Sequence, residues 1–128
     1  MRLVYLGTGA IGLPSLESLA RLGGDELVGV VTQPDRPAGR GKRPMASPVK
    51  EWAVSHSIPV VQPESINDPA VLSGLSSWNP DMVIVCAFGQ ILKPPFLNWP
   101  KQGCLNIHAS LLPRHRGASC IQAALLAG

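Results

Sequence analysis

Short apolar runs alternate with amphipathic segments along the 128 residues of the chain. The runs that predict strands are 3–6, 27–31, 59–62, 82–87 and 104–108. Apolar residues at helical spacing predict helices from Pro14 to about Leu22, from Pro48, from Pro69, and over 117–126. Strands that alternate with helices through short turns predict a single α/β domain with a doubly wound, mostly parallel sheet.

The order of the strands can also be inferred. The run 82–87 is the most hydrophobic, which predicts an interior strand, whereas Pro59 permits an edge position. We expect the first strand to lie centrally, with the strand order reversing beside it. This arrangement predicts a crevice where the carboxyl ends of the first, fourth and fifth predicted strands meet, which is where ligands bind in such sheets.

The fifth predicted strand carries two polar residues in an apolar run. Alternation places Leu105 and Ile107 on one face of the sheet, and Asn106 and His108 on the other. A carboxamide N–H suits an oxygen that gains negative charge, and an imidazole transfers protons near neutral pH. The pair therefore favours attack on a carbonyl. The alternative is that both are polar residues satisfied at a strand end.

A G-x-G-x-x-G pattern, Gly7 to Gly12, connects the first strand to the first helix. It raises the alternative of a dinucleotide site, with Asp35 near the position of an acidic ribose partner. We favour a tight strand-to-helix turn, because the next strand runs on through 32–34 and leaves Asp35 in a proline-bounded turn.

Residues 34–48 hold four prolines and two glycines, which predicts a long loop. Five cations lie in a stretch of fifteen residues without an acid: Arg36, Arg40, Lys42, Arg43 and Lys50. Without these five of the eleven Lys and Arg, six bases face eight acids, a net charge of −2. The local basicity predicts contact with nucleic-acid phosphates. The alternative is a solvated loop.

The three cysteines, Cys86, Cys104 and Cys120, are widely spaced and odd in number, so we expect buried reduced thiols, with neither disulfides nor a metal site. No apolar run reaches 18 residues, and residues 1–7 do not resemble a signal peptide. We therefore expect a cytoplasmic protein.

Two longer stretches resemble a known family. Asn-Ile-His-Ala-Ser-Leu-Leu-Pro-Arg-His-Arg-Gly at 106–117 is similar to the signature of the 10-formyltetrahydrofolate-dependent formyltransferases. Val-Thr-Gln-Pro-Asp-Arg-Pro-Ala-Gly-Arg-Gly-Lys at 31–42 resembles the branch that formylates initiator methionyl-tRNA, and it argues against the branch that acts on glycinamide ribonucleotide. The resemblance covers the whole chain.

The resemblance implies a Rossmann-like formyltransferase fold, with 10-formyltetrahydrofolate as co-substrate, initiator methionyl-tRNA as partner and no metal. It implies catalytic roles for Asn106 and His108. The folate-binding residues that it implies are Ser110, Leu111, Leu112, Pro113, Phe88, Gln90, Ile91 and Leu92. The tRNA-binding residues that it implies are Arg40, Lys42 and Arg43.

In the resembling family, an aspartate that partners the histidine lies beyond the position of Gly128, and the enzymes that act on tRNA carry a further OB-like tRNA-binding barrel. We therefore expect 1–128 to be the N-terminal part of a catalytic domain, with a sheet that is incomplete at its C-terminus. We expect weak or no turnover from this part alone, and self-association of a fragment whose complete enzyme is a monomer.

Three other functions stay open on the sequence alone. The first is an NAD-binding Rossmann module that uses the glycine-rich turn. The second is an RNA-binding domain without chemistry, driven by the basic stretch. The third is another folate-dependent formyltransferase or hydrolase, including one that acts on sugars.

Overall fold

A computed structural model describes residues 1–21, 26–38, 43–109 and 121–126, with the backbone alone for 38, 43, 108, 109 and 121–126. The strands are β1 (Arg2–Gly7), β2 (Glu26–Val31), β3 (Arg36–Ala38), β4 (Arg43–Met45), β5 (Val60–Val61), β6 (Met82–Cys86), β7 (Cys104–Ala109) and β8 (Ile121–Leu126). The helices are α1 (Leu13–Arg21), α2 (Pro48–Ser55), α3 (Pro69–Leu75) and α4 (Pro94–Leu97), with 3-10 turns at Ala10–Gly12 and Ser76–Trp78. No helix in these ranges is long and apolar enough to cross a membrane.

Six strands form one sheet in the order β5-β2-β1-β6-β7-β8. The pairs β2 with β5, β1 with β2, β1 with β6, and β6 with β7 are parallel. The predicted doubly wound sheet is therefore confirmed, including the central first strand, the interior position of β6 and the edge position of β5. The strand order reverses beside β1, as expected.

The helix predicted over 117–126 is wrong where the structure describes it. Ile121–Leu126 is a strand that pairs antiparallel with β7, from Ala109 opposite Ile121 to Cys104 opposite Leu126. A short apolar run fits helical and extended periodicity equally, and the open edge of β7 offers it a row of hydrogen-bonding groups. The strand that carries Asn106 and His108 is consequently an interior strand.

The loop predicted over 34–48 is also partly wrong, because it contains a small antiparallel ladder. Arg36 pairs with Met45, Pro37 with Pro44, and Ala38 with Arg43. Both strands of a two-stranded ladder are edge strands, where proline is tolerated because its missing N–H need not pair. The prolines therefore do not prevent strand pairing here.

The sheet separates two buried apolar layers, because alternate residues of each strand face opposite sides. One layer contains Val4, Leu6, Val31, Val83, Val85 and Cys104, packed against Ile66, Leu75, Phe88 and Phe96. The other contains Tyr5, Val30, Ile84 and Cys86, packed against Leu16 of α1 and Val49 and Ala53 of α2. Both faces of β1 are thus covered, which is typical of a parallel sheet.

Two of the helices begin as the sequence predicts. The Ser47 hydroxyl accepts a hydrogen bond of 3.1 Å from the backbone N–H of Lys50, and Pro48 occupies the first turn. The Asp68 carboxylate accepts one of 3.0 Å from the N–H of Ala70. These side chains satisfy backbone donors that have no partner within the helix.

A polar cluster closes the edge of the sheet where the parallel strands begin. The backbone N–H of Arg2 donates to the Asp81 carboxylate at 2.7 Å, and the N–H of Asp81 donates to the carbonyl of Arg2 at 2.8 Å. The Arg2 guanidinium donates to the carbonyl of Trp78 at 2.7 Å. The pKa of Asp81 is lowered, chiefly by the Arg2 N–H and further by the charge of Lys101. Asp81 therefore ties β6 to β1 in its ionised form.

We expect Asp81→Asn to lower the melting temperature at neutral pH and to flatten its acid dependence. An aspartate with a lowered pKa stabilises the folded state above its unfolded pKa, 3.8, and this contribution is lost as the pH falls through the folded pKa. The measurement is the melting temperature between about pH 2 and pH 7. Glu17→Gln, at an exposed position of α1, is the control. Equal acid dependence for wild type and Asp81→Asn would contradict the assignment.

Candidate functional site

The carboxyl edge of the sheet brings the predicted catalytic strand beside β6 and β1. Leu6 of β1 pairs with Val85 of β6, and Val85 pairs with Asn106 of β7, so these residues form one row across three strands. Asn106 is half-buried. His108 lies two residues farther along β7, with its backbone opposite Gln122. The carboxyl ends of these three strands therefore meet at one edge, as predicted, and the crevice at that edge stays a prediction.

Thr8 follows β1 directly and joins the strand ends. Its backbone N–H donates to the carbonyl of Ala87 at 3.1 Å, and its hydroxyl donates to the carbonyl of Phe88 at 2.9 Å. The N–H of Gln33, which follows β2, donates to the same hydroxyl at 3.3 Å. One side chain thus holds the residues after β2 and after β6 at the end of β1.

The residues that leave β6, 87–92, make a sharp turn, and we call them the 87–92 segment. Ala87 has φ of 52° and Gly89 has φ of 97°. Both values lie in the left-handed region, which is strained for alanine and accessible to glycine. A Cβ on Gly89 would also lie 2.9 Å from the Gln33 amide nitrogen. The positive φ therefore favours glycine at position 89, and a Cβ there would also displace the Gln33 amide.

The Gln90 side chain fastens the 87–92 segment to two other loops. Its amide nitrogen donates to the Gln33 amide oxygen at 2.8 Å and to the carbonyls of Pro63 and Glu64 at 3.3 Å. Its amide oxygen accepts from the N–H of Ile66 at 2.8 Å. Gln33 itself is 8% exposed. These hydrogen bonds fix the loops that follow β2, β5 and β6 relative to one another.

The predicted folate-binding residues of this segment occupy different environments. Phe88 is buried in the core, and Leu92 is half-buried against the same core. Ile91 is 82% exposed, so Phe88 and Leu92 contribute to core packing and Ile91 does not. The amide of Gln90 is held by protein groups. The folate-binding role of all four residues stays a prediction.

Several predicted site residues lie outside the described part of the chain. These are Ser110, Leu111, Leu112 and Pro113 for folate, and Arg40 and Lys42 for tRNA. His108 and Arg43 are described by their backbones alone, in β7 and in β4. Their predicted roles rest on the sequence.

One of the five cations of the basic stretch already forms an ion pair within the protein. The Lys50 ammonium lies 2.9 Å from the carboxylate of Asp35, the acid that precedes the stretch. The hydrogen bond from Lys50, and then one of 2.7 Å from the Gln62 amide, lower the pKa of Asp35. Asp35 therefore pairs with groups of the protein, which argues against its role as a ribose partner. Arg36 is exposed.

Packing against Tyr5 explains the glycine-rich turn. Tyr5 is fully buried, and its hydroxyl donates to the carbonyl of Gly12 at 3.3 Å. A Cβ on Gly7 would lie 2.5 Å from the carbonyl oxygen of Cys86 and 2.6 Å from the Tyr5 ring, and a Cβ on Gly12 would collide with the Tyr5 hydroxyl. Gly9 has no such neighbour, since the nearest atom lies 3.9 Å away on Ile11. Close packing against Tyr5 and Cys86 therefore accounts for two of the three glycines without a cofactor.

The cysteines behave as predicted where they are described. Cys86 and Cys104 are buried and free. Burial raises the pKa of Cys104 to about 11 and also raises the pKa of Cys86, so both thiols are protonated at neutral pH. Cys120 lies outside the described residues. Within the described ranges, no three His, Cys, Asp or Glu side chains form a group that could hold a metal ion.

Thr8, Thr32 and Gln33 belong to the site although none of them was predicted as a site residue. The Thr32 hydroxyl lies 2.9 Å from that of Ser47, and Thr32 and Gln33 are both buried. Their positions in the sequence could have identified them, because these polar residues directly follow two buried strands whose carboxyl ends meet at one edge of the sheet.

We expect Gln90→Met to lower the free energy of unfolding by about 1–3 kcal/mol, because it leaves the Ile66 N–H and the Gln33 amide without their partner. Urea unfolding measures the change. The control is Gln102→Met, which makes the same substitution at an exposed residue. Equal unfolding midpoints for the two variants would show that the Gln90 hydrogen bonds do not stabilise the fold.

We expect Gly12→Ala to destabilise the fold by about 1–3 kcal/mol through overpacking against Tyr5, whereas Gly9→Ala should be tolerated. Tyr5→Phe removes the hydroxyl that the new methyl group would meet. In a double-mutant cycle, Gly12→Ala should therefore cost less in the Tyr5→Phe background than in the wild type. Additive costs, measured by urea unfolding, would contradict the packing explanation.

The chain is similar in sequence to proteins of known function. A sequence profile described as "Formyl transferase" matches residues 1–128. Proteins named methionyl-tRNA formyltransferase from Alkaliphilus oremlandii and Akkermansia muciniphila are 46% and 49% identical over the whole chain. One from Marinobacter nauticus is 52% identical over the same 128 residues. The chain spans 40–41% of the length of these relatives.

Solved structures share the fold at lower identity. A phosphoribosylglycinamide formyltransferase from Bacillus halodurans aligns with a TM-score of 0.61 at 22% identity, over 94% of this chain and 62% of its own. A formyltetrahydrofolate deformylase from Burkholderia mallei aligns with a TM-score of 0.61 at 19% identity, over 98% and 48%. The profile match extends over every residue of the sequence, so the chain belongs to the formyl transferase family.

Proposed function

We propose that this chain transfers a formyl group from 10-formyltetrahydrofolate to the amino group of initiator methionyl-tRNA, in the reaction for which its relatives are named. The family membership supports the reaction class and a folate-type one-carbon donor. The identity of 46–52% to methionyl-tRNA formyltransferases over the whole chain supports the acceptor. We also propose that residues 1–128 form the N-terminal part of the catalytic domain.

The reaction needs a site that stabilises an oxyanion and moves a proton. The acceptor amine attacks the formyl carbon, and a new C–N bond forms. The formyl oxygen becomes negatively charged in the tetrahedral intermediate, and the bond from the carbon to the folate nitrogen then breaks. The amine loses a proton, and the departing folate nitrogen gains one. Groups that bind this oxygen and carry this proton accelerate the transfer.

Asn106 and His108 supply these two functions in the proposal. The Asn106 carboxamide donates a hydrogen bond to the developing oxyanion. His108 assists that charge and carries the proton from the amine to the departing nitrogen. The observation that carries the proposal is the pairing of Val85 with Asn106, because it sets the Asn–His strand beside the strand that runs into the 87–92 segment.

The 87–92 segment would form one wall for the donor. Ile91 offers a large exposed apolar side chain at the strand ends, and the Gln33 and Gln90 amides hold the turn rigid. A preformed apolar surface with backbone polar groups suits a flat pterin ring. Ser110, Leu111, Leu112 and Pro113 would complete the folate contacts.

Residues 36–45 would bind the acceptor arm of the tRNA. Arg40, Lys42 and Arg43 are the proposed phosphate contacts, each releasing counterions on binding. The β3–β4 ladder provides a short scaffold for Arg43, whose backbone pairs with Ala38. Lys50 contributes less, since Asp35 already neutralises its charge.

We expect His108→Ala in the natural protein to lower kcat for formylation of methionyl-initiator tRNA by at least about 100-fold, with an unchanged melting temperature. The matched control is His56→Ala, which removes an exposed imidazole at the end of α2 and should leave formylation unchanged.

Three outcomes would refute the proposal. Full activity of His108→Ala would remove the proposed proton carrier. Salt-dependent tRNA binding without formylation by the wild type would indicate an RNA-binding domain without chemistry. Saturable NAD binding without folate binding would indicate the dinucleotide module instead.

A further inference from the structure

The Asn67 side chain holds the far end of the 87–92 segment. Its amide nitrogen donates to the carbonyl of Ile91 at 2.7 Å, and its amide oxygen accepts from the N–H of Lys93 at 3.0 Å. A carboxamide satisfies this C=O and this N–H together in only one orientation, because its nitrogen donates and its oxygen accepts. Asn67 therefore specifies one course of the backbone from Ile91 to Lys93.

The residues on either side of Asn67 are themselves fixed. Ile66 is fully buried in the core, and its N–H donates to the Gln90 amide oxygen at 2.8 Å. Asp68 caps α3, and its N–H donates to the carbonyl of Ser65 at 3.2 Å. Asn67 lies between these two fixed points, so the backbone that carries its side chain is already ordered, and the hydrogen bonds to the segment cost little further entropy.

The backbone groups of Leu92 are turned away from Asn67. Lys93 is extended, with φ of −103° and ψ of 165°. In an extended chain, the C=O of one residue and the N–H two residues later point to the same side, and the groups of the residue between them point to the opposite side. The N–H and C=O of Leu92 therefore face the other way. Neither of them bonds to another residue in the part of the chain that the structure describes.

This stretch belongs to the wall proposed for the donor. The Leu92 side chain packs against the core, whereas Ile91 is 82% exposed, so the stretch is anchored on one face and presented on the other. A ligand that recognises one conformation of a segment binds more weakly in proportion as that conformation becomes less populated. A side chain that fixes the segment can therefore set the affinity through the backbone alone.

We propose that Asn67 is a positioning residue of the donor site, which holds Ile91 and Leu92 in the conformation that binds 10-formyltetrahydrofolate. The inference rests on the proposed function and deepens it, because it adds a residue of the turn before α3 to the site. Asn67 acts through the backbone of the 87–92 segment. Its loss therefore weakens the binding of the donor and spares that of the tRNA.

The test is the binding of tetrahydrofolate to the natural protein without tRNA, which measures the donor site in the absence of turnover. Asn67→Ala removes both hydrogen bonds. It should raise the Kd for tetrahydrofolate by at least about threefold, since the net contribution of one hydrogen bond corresponds to a factor of about 2–12. In formylation assays, it should raise the KM for 10-formyltetrahydrofolate by the same factor, and that for methionyl-initiator tRNA by less than about twofold.

Asn67→Asp gives a second measurement with a side chain of the same size and shape. Its carboxylate accepts from the N–H of Lys93 but cannot donate to the carbonyl of Ile91, so the Kd for tetrahydrofolate should again rise by at least about threefold. The matched controls are Asn98→Ala and Asn98→Asp, at the exposed residue that ends α4, which should leave this Kd unchanged.

The outcomes separate this inference from the proposed function. An unchanged Kd for tetrahydrofolate in folded Asn67→Ala, or an equal rise in both KM values, would overturn the inference while the proposed function stands. If Asn67→Ala does not fold, an unchanged Kd in Asn67→Asp overturns it. A wild type that binds no tetrahydrofolate would refute the proposed donor, and the inference with it.

Discussion

The central strand β1 pairs with a parallel strand on each side, and this pairing determines where everything else lies. Leu6 has Val31 and Val85 as its partners, and Val85 in turn has Asn106. Parallel strands end at the same edge, so the residues that follow β1, β2, β6 and β7 meet there. Both faces of β1 are covered by apolar side chains, which favours this register because a shift by one residue would exchange the two buried faces.

Hydrogen bonds between polar side chains at that edge fix the loops relative to one another. Thr8 and Gln33 bond to each other and to the 87–92 segment, and Gln90 extends the network to residues 63–66. Buried polar groups are costly without partners, so a fully bonded set specifies one arrangement of the loops. The wall proposed for the donor is therefore fixed relative to the ends of β1 and β2.

The glycine-rich turn shows how one pattern supports two interpretations. G-x-G-x-x-G between a strand and a helix is typical of dinucleotide sites, yet here Gly7 and Gly12 leave room for the buried Tyr5 side chain. The position of Asp35 in the sequence favoured a tight turn, and the ion pair of Asp35 with Lys50 agrees with that interpretation. The role of Tyr5 was not visible in the sequence, because the side chain that requires the glycines precedes the motif in the strand.

The sequence by itself determined the α/β class, the central position of β1, the edge position of β5, the helix starts at Pro48 and Pro69 and the strand that carries Asn106 and His108. These features follow from local periodicity, from capping chemistry and from the rule that buried parallel strands are uniformly apolar. The tertiary structure decided the rest. Ile121–Leu126 became a strand because β7 offered an edge, the prolines at 37 and 44 were accommodated in a two-stranded ladder, and Ile91 pointed to solvent although its neighbour Phe88 is buried. In the two strands, pairing with another segment outweighed the local preference of the residues. At Ile91, no other segment covers the side chain, so it stays exposed in spite of its apolar character.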